Sequence, residues 1–176
     1  MTNDISIRPL ELEDFNAFLD IQRDALVHAP EVFGSDYEWF EALSRLSKEQ
    51  RYEMYLDFPY RFLLGVVHAN GTILGMVGFS NEHGQTKTRH KGRLWGLYVR
   101  PEYRGHGFAR TLLSGIIEAA RDVVGCELLQ LSVSTMNQAS YQLYLRFGFT
   151  VYGTELRAMK VGDAYVDEYL MVNYLR

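Results

Sequence analysis

The sequence predicts an α/β (α+β) fold: one mixed β-sheet covered by α-helices, in a single domain spanning residues 1–176. Three observations lead there. Stretches with strand-like character alternate along the chain with stretches of helical apolar spacing, the pattern of a sheet with helices packed on it. Asn70-Gly71 separates two apolar runs, and Gly162-Asp163 falls between the last two, so hairpins are expected at both places. The chain has 176 residues, no repeat and no Gly/Ser- or Pro-rich linker. One domain burying about 70% of its unfolded surface is therefore expected.

Each element has its own warrant. Ile5, Ile7 and Pro9 begin a short strand, and Glu11 to Val27 reads as an amphipathic helix with Leu12, Phe15, Leu19 and Leu26 near helical spacing. Ala29 to Ser35 breaks it, and a second helix is expected from about Asp36 to Leu46. Arg61 to Ala69 and Thr72 to Asn81 pair around Asn70-Gly71, and a polar loop, Glu82 to His90, leads to a strand over Gly92 to Arg100. A helix then opens near Phe108 and reaches about Val124, with Phe108, Leu112, Leu113, Ile116, Ile117 and Ala120 on one broad face. Glu127 to Val133 reads as a strand and Gln138 to Phe147 as a helix. Phe149 to Leu156 and Tyr165 to Tyr174 read as two closing strands.

Composition excludes several classes. Eighteen basic against 22 acidic residues give a net charge of -4, without the basic excess of a general nucleic-acid binder. The longest apolar run, near Phe62 to Val67, falls far short of the ~20 residues of a membrane helix. The start, Met1-Thr2-Asn3-Asp4-Ile5, lacks a basic segment followed by an apolar one, so no signal peptide is expected and the location is read as cytoplasmic. The single Cys126 suits a reducing compartment and reads as a small core residue. The five histidines are scattered without metal-ligand spacing, so no metal is expected.

The most informative segment is Arg104-Gly105-His106-Gly107 between a strand and a helix. The first helical turn leaves N–H groups unpaired, and the helix dipole adds partial positive charge there. Glycines let the backbone approach a phosphate without a Cβ in the way, and Arg104 and Arg110 add charge-assisted donors. The same residues also suit an ordinary tight turn, and the loop alone leaves both readings open. No Gly-x-x-x-x-Gly-Lys-Ser/Thr run exists, and Arg110 stands where a dinucleotide fingerprint needs a third Gly or Ala.

Two motifs together resemble the GCN5-related N-acetyltransferase (GNAT) superfamily. Leu97-Tyr98-Val99-Arg100-Pro101 followed by Arg104-Gly105-His106-Gly107-Phe108-Ala109 resembles its acyl-CoA signature. Asn137, Ser140, Leu143-Tyr144 and Gly148-Phe149 match its second element, with Ser140 in place of the commoner Ala. The resemblance covers nearly the whole chain and is densest from Leu94 to Phe149. It implies a largely antiparallel central sheet and acetyl-CoA as cosubstrate. Leu97, Tyr98 and Val99 would lie along the pantetheine arm. Backbone amides from Gly105 through His106, Gly107, Phe108 and Ala109 to Arg110 would hold the pyrophosphate, and Asn137 would bond the arm or an ordered water. The resemblance also implies that the Leu97 N–H stabilises the developing oxyanion and that Tyr144 protonates the departing thiolate as general acid.

The base is less legible. By alternation with Leu97, the strand positions facing the acceptor are Arg93 and Trp95, and neither accepts a proton at neutral pH. A water chain ending at Glu82 or His83 is the expectation, with Glu31 and Glu38 as comparable choices. By the resemblance, the first helices and last hairpin line the acceptor cleft, which brings in Phe33, Tyr37, Trp39, Phe40, Tyr152, Tyr165 and Tyr169. The expected activity is acetyl transfer to a primary amine of a small molecule or amino acid. Acetylation of a protein lysine or N-terminus, and noncatalytic acyl-CoA sensing, stay open as alternatives. Family members commonly dimerise, though no feature of the sequence establishes a homodimer.

Overall fold

A computed structural model describes residues 4–30 and 33–176. The strand patterns assemble into one seven-stranded sheet in the order β1 (Ile5–Pro9), β2 (Arg61–His68), β3 (Ile73–Asn81), β4 (Lys91–Val99), β5 (Leu128–Ser134), β7 (Ala164–Tyr174), β6 (Thr150–Val161). Every neighbouring pair is antiparallel except β4 and β5. β2 and β3 are almost continuously apolar and buried because helices cover both faces of the sheet. On one face α1 (Phe15–His28) packs Phe18, Leu19, Ile21 and Ala25 against Leu63, Val67, Ile73, Met76 and Tyr98. On the other, α4 (Phe108–Glu118) packs Leu112, Leu113 and Ile116 against Leu64, Val66, Val77, Phe79, Leu94 and Val99. α5 (Gln138–Arg146) lies on the same side as α4.

The parallel β4–β5 ladder is short. It pairs only Lys91 with Leu128, Gly92 with Leu129 and Arg93 with Gln130, after which the strands separate. The closed end is pinned by Asn81, a buried side chain whose Nδ2 donates to the carbonyls of Arg89 and Lys91, both at 2.8 Å. Cys126 is fully buried beside that amide, and burial raises its thiol pKa.

Two elements depart from the expected pattern. The helix expected over Asp36 to Leu46 is two helices, α2 (Tyr37–Ala42) and α3 (Arg45–Glu53). They are divided at Ser44, whose Oγ accepts from the Ser47 N–H at 3.1 Å and caps α3. α3 is strongly polar and buries only Lys48 and Tyr52, so it lacks the apolar content that marked the other helices. β6 runs on to Val161, and its pairing with β7 skips between Glu155 and Met159. In that bulge Arg157 has φ +56°, and its N–H donates to Asp167 Oδ1 at 2.7 Å.

Candidate active site

A bulge in β4 organises the site. Trp95 pairs with Gly78 and Tyr98 with Met76, so Gly96 and Leu97 together oppose the single residue Val77. Gly96 sits at φ +63°, a left-handed backbone that glycine adopts without Cβ strain, and such bulges leave an amide out of the ladder. Side-chain alternation breaks here. Leu94, Leu97 and Val99 pack toward α4 and α5, whereas Trp95 and Tyr98 pack toward α1 to α3. Trp95 therefore faces the helical cover expected of it, but on the side opposite Leu97, because the bulge resets the period of two.

Where β4 and β5 separate, a cavity of about 780 Å³ opens. Leu97, Tyr98, Val99, Arg104, Ala109, Arg110 and Asn137 line it together with His28 and the α5 residues Ser140, Leu143 and Arg146. Beyond Arg93, the β4 groups that face β5 have no strand to pair with. The residue that caps α4 is Gly107, φ +83°, which has no side chain to offer, so the N–H groups of the first turn stay available. Gly105, His106 and Gly107 are exposed at the cavity's end and do not line it, and neither does Phe108. Arg104 Nε donates to the Val99 carbonyl at 3.0 Å, which leaves its terminal nitrogens for another acceptor. Asn137 Oδ1 accepts from the Ser140 N–H at 3.1 Å and caps α5, leaving its amide nitrogen for the cavity.

Tyr144 is 5% exposed, packed edge-on to Phe149 with centroids 5.7 Å apart. Burial alone holds its pKa above the ordinary phenol value, so the hydroxyl keeps its proton. It lines neither cavity, but its neighbour Leu143 lines the one between β4 and β5. Tyr98, on the opposite face, is tied down: its hydroxyl donates to Asp24 Oδ2 at 2.7 Å, and Arg100 reaches the same carboxylate at 3.5 Å. That bond braces the strand immediately after the bulge against α1.

A second cavity of about 440 Å³ lies on the α1–α3 face. Phe33, Trp39, Phe40, Tyr55 and Trp95 form its apolar walls, and Gly96 and Ser132 lie on its sheet side. The Trp95 ring rests on Gly78, where a Cβ would collide with it, and stacks obliquely on Tyr55 at 4.7 Å. Lys48, Arg51, Arg93 and Glu168 bring charge to the lining.

Several expected residues fall elsewhere. Glu82 lines a separate shallow pocket with His83, Arg61 and Gln85. β3 runs antiparallel to β4, so its C-terminal end lies beside Gly92, five residues or roughly 17 Å along β4 from Leu97. Glu82 is therefore at the wrong end of the strand to serve as the base. Tyr152 and Tyr165 are exposed, and Tyr169 packs on Tyr141 across the other face. Tyr37 and Glu38 line neither cavity. Glu31 lies outside the described residues. Glu168 was not anticipated, because only the β5–β7–β6 order sets it opposite Ser134 and into the cavity that Ser132 and Trp95 also line. Among the described residues, no group of three or more His, Cys, Asp or Glu could hold a metal ion. Among them also, no helix is long and apolar enough to cross a membrane.

The split sheet thus carries a cavity on each side of one strand bulge, with Gly96 lining one and Leu97 the other. The chain belongs to the acetyltransferase (GNAT) family, whose model matches residues 20–149. It is 34% identical over 98 residues to the L-amino acid N-acyltransferase MnaT of Escherichia coli. That match covers 53% of this chain and 56% of the relative, little more than half of either. The fold is shared with a GNAT-family acetyltransferase from Streptococcus pneumoniae at TM-score 0.84 and 24% identity, over 97% of this chain and 99% of that one. It is shared too with yncA of Salmonella typhimurium, solved with its cofactor acetyl-CoA, at TM-score 0.81 and 24% identity over 99% and 95% of the two chains.

Proposed function

We propose that the protein is an acetyl-CoA-dependent N-acetyltransferase acting on the primary amine of a small molecule or amino acid. The observation that carries this reading is the bulge. Gly96 lines one cavity and Leu97 the other, so ligands approaching from the two faces meet at adjacent residues.

The larger cavity has the donors that acetyl-CoA needs. The uncapped start of α4, with Arg104 and Arg110, suits a pyrophosphate. The unpaired edge of β4 at Leu97 to Val99 suits the amides of a pantetheine arm, which would add to it like a strand. The solved yncA complex supports the same cosubstrate. When bound, acetyl-CoA supplies a thioester carbonyl open to attack by an amine.

The chain's own residues then orient, stabilise and protonate. An ammonium group has no lone pair, so one proton leaves the acceptor before attack. The Leu97 N–H donates a hydrogen bond to the carbonyl oxygen on which negative charge builds. The nitrogen–carbon bond forms, the carbon–sulfur bond breaks, and the thiolate takes a proton, for which Tyr144 is the candidate donor, on the helix whose Leu143 lines the cavity. The second proton lost by the nitrogen restores the phenol, and the net result is one proton released to water.

Titration with acetyl-CoA, followed by thiol release over a panel of primary amines, tests this reading. Saturable binding and amine-dependent release are expected. Binding without turnover on a broad panel would favour a sensing domain, and no binding at millimolar acetyl-CoA would remove the reading.

A further inference from the structure

The charged groups of the smaller cavity divide into two sets. Lys48 is buried and lies 3.7 Å from Glu41 Oε1, but that carboxylate is already bonded by Arg23 Nε at 2.7 Å. Arg51 lies over the Trp39 ring at 4.8 Å. Arg51 and Arg93 line the cavity with no carboxylate partner among the described residues, and Glu168 lines it with no cation partner. Three cations thus face one carboxylate, an unfavourable lining for a polyamine.

Register separates the two signs. Arg93 pairs with Gln130 at the closed end of the β4–β5 gap, while Glu168 pairs with Ser134, four residues further along β5. Four residues span roughly 13 Å, so Glu168 stands at the height where β4 reaches Leu97. A carboxylate therefore lies level with the bulge, and guanidinium groups lie on Arg93 and on α3. Aromatic walls fill the space between them.

Resting on the acetyltransferase reading above, we infer that the acceptor is a zwitterion: a primary amine with a carboxylate on an apolar body. Its ammonium group is held at Glu168, level with the bulge across the gap, and its carboxylate is held by Arg51 and Arg93. The aromatic rings Trp39, Tyr55 and Trp95 cover the apolar part. Two guanidinium groups for one carboxylate also orient the acceptor, so that only its amine end reaches Leu97.

The test uses the full chain, acetyl-CoA and matched acceptors. L-leucine, L-phenylalanine and 6-aminohexanoate are each compared with the corresponding carboxamide and carboxylate-free amine, with spermidine as a polycation. For at least one series, kcat/KM is expected to favour the carboxylate by about 10- to 100-fold, the range of a charged hydrogen-bonded contact. Arg51→Gln and Arg93→Gln bring that ratio toward one through acceptor KM, with acetyl-CoA KM unchanged. Glu168→Gln lowers acid and amide alike and leaves their ratio intact, because both carry the amine. Equal or better turnover of the carboxamides, the simple amines or spermidine by the wild type overturns the inference while leaving the acetyltransferase reading standing. So does an equal loss of acid and amide in the arginine variants, or a Glu168→Gln enzyme with wild-type kinetics. Absence of thiol release with every amine overturns the acetyltransferase reading and this inference with it.

Discussion

Replacing Gly96 by Ala should destabilise the protein without crowding it. A Cβ on Gly96 would meet only Phe33 Cε1, at 3.9 Å, so the cost is conformational. Holding alanine at φ +63° costs about 1–2 kcal/mol. Stiffening the unfolded chain returns about 0.4–1 kcal/mol. The strand cannot relieve the strain by sliding, because Trp95 is seated on Gly78 and Tyr98 is bonded to Asp24 on either side. The net loss is then about 1 kcal/mol, a fall in Tm of roughly 2–4 °C for a domain of this length. Gly84 is a matched control: its φ is not positive and nothing lies within 4 Å of its Cβ. Gly84→Ala should leave Tm unchanged or raise it. Thermal and urea unfolding of both variants measure the difference in sign. Steady-state thiol release should show acceptor KM rising in Gly96→Ala with acetyl-CoA KM unchanged, since the new methyl points toward Phe33. A Gly96→Ala protein as stable as Gly84→Ala would refute the bulge and the meeting of two cavities there.

Other expectations follow from the same geometry. Tyr144→Phe should lower kcat by roughly 100-fold or more while acetyl-CoA KM moves little; matched losses in both would make the phenol a packing residue. Gly107→Val should raise acetyl-CoA KM at least about tenfold, since the side chain enters the space a phosphate needs at an N-terminal turn, and unchanged affinity would remove the turn from the cofactor site. Arg8 donates to both oxygens of Asp14 at 2.7 and 2.8 Å, and that bond lowers the carboxyl pKa. A depressed pKa means the pair stabilises fully above the unfolded value near 3.9 and loses that effect as pH falls through the folded value. Asp14→Asn should therefore cost about 2 kcal/mol at neutral pH and progressively less in acid. An equal cost in urea unfolding at both extremes would contradict the assignment.

The parts of the site carried by local chemistry were legible in the sequence. Gly105 and Gly107 with Arg104 mark an uncapped helix start, and Asn137 marks a cap, because each depends on residues a few positions apart. Non-local features were not. The alternation that placed Arg93 and Trp95 relative to Leu97 assumed an unbroken strand, although Gly96 inside an apolar run is the usual mark of a bulge. Glu82 looked near the site because β3 and β4 are neighbours, yet strand direction puts it at the far end. Glu168 lies between Val166 and Leu170, and only the pairing of β7 between β5 and β6 gives that position a meaning. α3 escaped notice because it is overwhelmingly polar and offers no apolar run to mark a core-facing helix.

The three-residue ladder between β4 and β5 leaves the sheet as two antiparallel halves, β1–β4 and β5–β7–β6, joined along one edge only at Lys91 to Arg93. Each half has its own continuous network of main-chain bonds, and one side-chain core runs beneath both, so the gap is where backbone protection should be lowest. Amides of β5 past Gln130 that point toward β4 should exchange with deuterium sooner than those paired with β7. A molecule lying in the gap would act as the missing rungs. Protection gained by β5 and α5 on adding acetyl-CoA would then record a sheet made continuous as well as the filling of a cleft.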